Sequence, residues 1–253
     1  MKVRTPAVAG MFYPGEPHHL EQLLERFFLE AGPDRGCDPF AIVAPHAGYV
    51  YSGAVAASAY ATLPRDFDGT FVVVGPSHGG YPTCASSIPW ETPLGIVDVD
   101  EDLVRALGIP VNELYMRDEH ALEVQMPFIK YRFPRARVAP VMMGLQDLGS
   151  AELLGARIER AITGTGRDVR VVASSDFSHY VPAPVARSQD LYAIEALADL
   201  DTSLREIGTD YLDIWFLHNR NTPEEVTDDL LEAQQQAKKA GKIRFAGVSA
   251  HFN

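Results

Sequence analysis

The sequence predicts an α/β fold with a mainly parallel central sheet and helices on both faces. Short, wholly apolar, β-branched runs alternate with amphipathic stretches, the pattern of parallel strands covered on both sides. Three of these runs also lead directly into histidine-bearing loops, as expected where strand ends of an open sheet form a ligand crevice.

The elements follow in order. His18 to Ala31 places Leu20, Leu23, Leu24, Phe27 and Phe28 at helical spacing, and Gly32 and Pro33 stop the helix. Phe40 to Ala44 is an apolar run between prolines and reads as a buried strand. Ser52 to Leu63 is an alanine-rich helix with Ser52 as its expected cap. Phe71 to Gly75 is the clearest strand. Cys84 to Asp100 carries Pro89 and Pro93 and reads as an edge strand or hairpin. Glu101 to Gly108 is a short helix, and His120 to Phe133 a helix limited or kinked by Pro127. Arg137 to Gly144 is a strand, Ala151 to Ile162 an amphipathic helix, Asp168 to Ser175 a strand and Val185 to Leu200 a helix.

Composition narrows the function. The chain has 253 residues, is 46% hydrophobic and 22% charged, and so can bury a substantial core. Its net charge of -12 disfavours nucleic acid and anionic membrane surfaces as partners. No apolar run is long enough to span a membrane, and the first residues do not read as a signal peptide. Two cysteines, Cys37 and Cys84, suit a reducing, cytoplasmic setting and read as inert thiols.

The candidate site lies at strand ends. One strand delivers Pro45-His46, another Ser77-His78, and a third Asp176 and His179. Imidazoles with a carboxylate make an open site for iron, copper, zinc or nickel, and the same groups can exchange protons without a metal. His120 and Glu123, three residues apart, would share one helical face and extend the site or relay protons; a solvated helix start is the competing reading. His18 and His19 are expected to face solvent.

These motifs resemble the Memo family. The matching strings are RTPAVAGMFYP, APHAGYVYSG, VVVGPSHGG, WETPLGIVDVD, DEHALEVQMPF and SSDFSHY, in order over residues 1–199. The resemblance implies a fold similar to class III extradiol dioxygenases of the non-haem iron type. It also implies a metal-capable pocket with His46 and His78 as ligands and Asp176, His179 and His120 as catalytic residues. Iron or copper is the implied ion, with a small molecule or peptide in the cleft and a radical-SAM protein as a system partner. Family members carry a further cysteine ligand toward the C-terminus; here no cysteine follows Cys84. A weaker site of altered redox behaviour is the consequence expected. The function expected is redox chemistry of the dioxygenase type, or peptide or partner binding without turnover.

From about residue 200 the pattern changes. SLREIGTDYLDIWFLH and KKAGKIRFAGVSAHFN resemble helix and strand pieces of aldo-keto reductases, with His218 and Ser249 at that family's active-site and nicotinamide-cradling positions. Residues 202–253 cannot close an eight-stranded barrel of ~250 residues. NADPH-dependent reduction is therefore not expected. The chain reads as a chimera of a Memo-like domain (1–199) and a helix–strand–helix–strand fragment (200–253), docked on the same sheet through its apolar strands.

Overall fold

A computed structural model describes residues 2–32, 38–179, 181–198, 212–217, 238 and 243–248. They belong to two compact units, Met1–Ser175 and Asp176–Asn253.

The first unit is built on a five-stranded sheet. Its strands are β1 (Ala41–Ala44), β2 (Thr70–Pro76), β3 (Cys84–Ala85), β6 (Arg137–Met143) and β7 (Val169–Ser174), in the order β1-β7-β2-β6-β3. All neighbours are parallel except β3, which runs antiparallel to β6. The mostly parallel α/β architecture is thus as the apolar runs predicted. Phe71, Val72 and Val73 are each 0% exposed. Successive strand residues point to opposite faces, so β2 is covered on both sides.

Edge position explains one correction. β1 was expected to be fully buried, but Ile42 and Ala44 face inward while Ala41 and Val43 are exposed. Among the described residues it borders only β7, and only one of its faces is covered, so burial alternates along it. The Cys84–Asp100 stretch supplies the edge strand β3 and a separate hairpin of β4 (Trp90–Thr92) and β5 (Gly95–Val97).

Helices pack around this sheet. In α1 (Pro17–Ala31), Leu20, Leu24, Phe27 and Phe28 form the buried stripe, which lies against α2 (Tyr49–Tyr60). α2 begins earlier than the sequence suggested. Ser52 does not cap it; its hydroxyl donates back to the Ala47 carbonyl at 3.0 Å. α3 (Glu101–Leu107) is capped by Asp100 and ends at Gly108 in the left-handed region, the backbone state glycine tolerates best. It packs on α7 (Leu148–Thr165), capped by Asp147. Between them come α4 (Glu113–Met116), α5 (His120–Glu123) and α6 (Met126–Arg132). Pro127 sits at the start of α6, where a missing N–H costs nothing, so the expected single helix divides before the proline.

In the second unit, α8 (Ala183–Ala198) follows the sequence expectation, and β8 (Leu212–Leu217) pairs in parallel with β9 (Ile243–Val248) as a two-stranded sheet. Cys37, His218 and Ser249 lie outside the described residues.

Candidate metal centre

Parallel strands place the site. β1 ends at Ala44 and β2 at Pro76, so both chains leave the sheet at the same rim, carrying His46 and His78. The third imidazole comes from His120, first residue of α5. Gly75 admits that helix: a Cβ there would lie 3.0 Å from Leu122 Cδ2 and 3.1 Å from Ala121 Cβ. Only a glycine lets α5 lie this close to the end of β2 without repacking.

The three rings converge. Ring centroids of His46 and His78 are 5.3 Å apart at 88°, those of His46 and His120 6.1 Å at 80°. His78 and His120 are nearly stacked at 4.0 Å. Phe12 packs against His120 with ring centroids 4.8 Å apart, tilted at 60°. The cluster is graded in depth: His46 is buried, the His120 side chain is 23% exposed and that of His78 40% exposed. Solutes thus meet His78 first.

Glu119 joins this group, and the sequence reading missed it. Donor atoms of His78, Glu119 and His120 lie within 4.8 Å of one another. Oε1 of Glu119 is 2.8 Å from Nδ1 of His78 and accepts from the Ala121 N–H at 3.0 Å; Oε2 accepts from the His78 N–H at 2.8 Å. Burial acts to raise the pKa of this carboxyl group. Hydrogen bonds from Ala121 and from the ring and backbone of His78 outweigh it and hold the value below the ordinary carboxylate range. Glu119 is therefore an anion at neutral pH, beside the imidazoles.

His46 has a different support. Its Nδ1 is 3.2 Å from Ser174 Oγ, at the end of β7. That hydroxyl donates to the Ala121 carbonyl at 2.6 Å and accepts from Gln125 Nε2 at 2.9 Å. The Gln125 amide is oriented in turn, with Nε2 donating to the Pro45 carbonyl and Oε1 accepting from Tyr60.

Glu123 does something other than the sequence suggested. Neither solvated nor part of the cluster, it is fully buried and serves the N-terminal segment. Its carboxylate accepts from Arg4 Nη1 (2.7 Å), the Ala7 N–H (2.8 Å), the Val8 N–H (2.9 Å) and the Tyr13 hydroxyl (2.8 Å). This anchors the stretch that carries Phe12 onto His120. In the second unit, Asp176 Oδ2 lies 3.2 Å from His179 Nε2, and Asp190 accepts from the backbone and hydroxyl of Ser178.

Cys84 contributes no ligand. Its buried thiol faces the Asn112 carbonyl, and burial followed by the Glu113 charge pushes its pKa up to about 11. It stays protonated at neutral pH, as expected of an inert thiol. Hence, among the described residues, the cluster is imidazole and carboxylate only. That donor set fits a borderline first-row ion, which imidazole nitrogen suits.

Comparison with known proteins adds a family. Residues 4–207 match the family described as Memo-like protein. A MEMO1 family protein of Methanosarcina barkeri is 44% identical over 205 residues, covering 79% of this chain and 76% of its own. One from Archaeoglobus fulgidus is 41% identical over 204 residues, with coverages of 79% and 76%. One from Caldivirga maquilingensis is 38% identical over 218 residues, with coverages of 79% and 77%. The family match reaches residue 207, past the boundary near 199 read from the sequence.

Proposed function

Because the chain belongs to the Memo-like protein family, we propose that its cleft holds one iron or copper ion on His46, His78 and His120 and supports redox chemistry there. The observation that carries this reading is the meeting of three imidazoles from sequence positions 46, 78 and 120, with centroids 4.0–6.1 Å apart. Imidazole nitrogens brought this close from three separate stretches of chain are a donor set that one first-row ion can share.

Each residue has a part in this account. His46 is the deep anchor, fixed by Ser174. His78 stands at the entrance and is fixed by Glu119. His120, in ring contact with both Phe12 and His78, is the third ligand in this reading. When bound, the ion would supply a redox-active centre with open coordination positions for a small molecule or a peptide side chain. The protein's contribution is to fix the ligand set and exclude bulk water from the His46 side.

Titration of the purified, metal-stripped chain with Fe(II) and Cu(II) tests the proposal. Near-stoichiometric uptake that weakens strongly in His78→Ala and His46→Ala is expected. Equal uptake by all three proteins would refute it. Binding without oxidation of any offered substrate would favour a recognition role for the same cleft.

A further inference from the structure

The imidazoles of His46 and His78 are served by two different partners, and both partners meet at one residue, Ala121. Ala121 donates its N–H to Glu119 Oε1 and accepts the Ser174 hydroxyl proton on its carbonyl. The consequence for the ring protons follows from donor counting. The single hydroxyl proton of Ser174 is committed to Ala121, so toward His46 the serine oxygen can only accept. Its neighbour Gln125 also donates to it. Nδ1 of His46 must therefore carry hydrogen. At His78, Nδ1 faces Glu119 Oε1, and both oxygens of that side chain already accept backbone N–H groups, from Ala121 and from His78, so the ring nitrogen is the donor and it too carries hydrogen.

We propose that Glu119 and Ser174 are positioning residues that lock His78 and His46 as Nδ1–H tautomers before any ligand arrives, so that the lone pair of each ring is on Nε2. The inference rests on the reading of the cleft as a metal site for its use, but its first half concerns the metal-free protein. A neutral imidazole in water interchanges its two tautomers, and only the one bearing a lone pair on the inward nitrogen can bind. Fixing that nitrogen in advance removes the loss on binding, and outer partners of this kind are worth about 10–100-fold in metal affinity. One short helix thereby sets two ligands from two different strands. Its own first residue, His120, is the third member of the cluster.

The test uses the full chain, ¹⁵N-labelled at histidine and stripped of metal, at pH 8, where an ordinary histidine is neutral. Long-range ¹H–¹⁵N correlation distinguishes the protonated ring nitrogen from the bare one, and His46→Gln and His78→Gln assign the signals. Nδ1–H on both rings is expected. Glu119→Ala should change the His78 pattern alone, and Ser174→Ala the His46 pattern alone; Glu119→Asp and Ser174→Thr, which keep the accepting oxygens, should retain the wild-type patterns. Cu(II) titration of the same proteins should show about a 10–100-fold loss in the two alanine variants and recovery in the conservative ones.

Hydrogen on Nε2 of either ring in the wild-type protein overturns the proposal, and this reading needs no variant to fold. Altered tautomers with unchanged Cu(II) affinity overturn its second half. If both tautomers are as stated yet the wild-type chain takes up neither Cu(II) nor Fe(II), the metal reading fails and the tautomer assignment is upheld.

Discussion

Changing Glu123 to glutamine probes how the cleft is built without touching a proposed ligand. The carboxylate accepts from four donors: Arg4 and Ala7 at one oxygen, Val8 and Tyr13 at the other. A glutamine keeps one acceptor oxygen, which would stay with the buried Arg4 guanidinium and the Ala7 N–H. Its NH₂ group then faces the Val8 N–H and the Tyr13 hydroxyl. Tyrosine can rotate to accept, but the Val8 N–H has no such choice. A buried donor left unsatisfied costs about 1–3 kcal/mol. The Arg4 charge, whose side chain is only 4% exposed, also loses its counter-ion, and breaking a buried pair from one side costs about 3–5 kcal/mol in all. The two effects overlap because they share one group, so a loss of about 3–5 kcal/mol is expected. Urea unfolding followed by circular dichroism measures it. A loss below ~1 kcal/mol would refute the reasoning, since it would mean that the network is neither desolvated nor strained by the change.

Other perturbations test neighbouring parts of the account. Arg4→Lys should cost about 2 kcal/mol in the same melt, because a point charge cannot reproduce guanidinium bonds to Met116, Glu119 and Glu123 in three directions; wild-type stability would contradict this. Gly53→Ala should destabilise by about 1–2 kcal/mol. Its Cβ would fall 2.3 Å from Phe27 Cε2, and overpacking of ~1–3 kcal/mol outweighs the helix-propensity gain of at most ~1 kcal/mol; a more stable variant would sink the argument. Cys84, with its thiol pKa raised by burial to about 11, should remain unmodified by a thiol reagent in the native chain at pH 8 and react once unfolded. Peptide mass mapping reads this, and native labelling as fast as that of a free thiol would contradict it.

Much of the site was legible because strand ends are a positional code. An apolar run followed by Pro-His or Pro-Ser-His fixes where His46 and His78 emerge, provided the strands are parallel, and the alternation of wholly apolar runs with helical stretches predicts that they are. His120 was legible as a helix start. What could not be read was which residues face it. Glu119 directly precedes His120, yet its role depends on reaching His78, 41 positions away, and only the docking of α5 against Gly75 brings them together. Glu123 was misread for a related reason. The three-residue spacing suggested a shared face with His120, but α5 is a single turn whose last residue is drawn to Arg4 and the N-terminal backbone. Short helices take their facing from tertiary partners more than from periodicity. Ser174 looked like plain strand residue, since a serine in an apolar run gives no hint that its proton is spent on Ala121.

The central claim is that three imidazoles share one ion, and the electron paramagnetic resonance of the Cu(II)-loaded chain addresses it most directly. Coupling to several equivalent imidazole nitrogens, reduced by one in each of His46→Gln, His78→Gln and His120→Gln, is the result the account predicts. A Cu(II) signal with oxygen-only coordination, or one indifferent to all three substitutions, would contradict it.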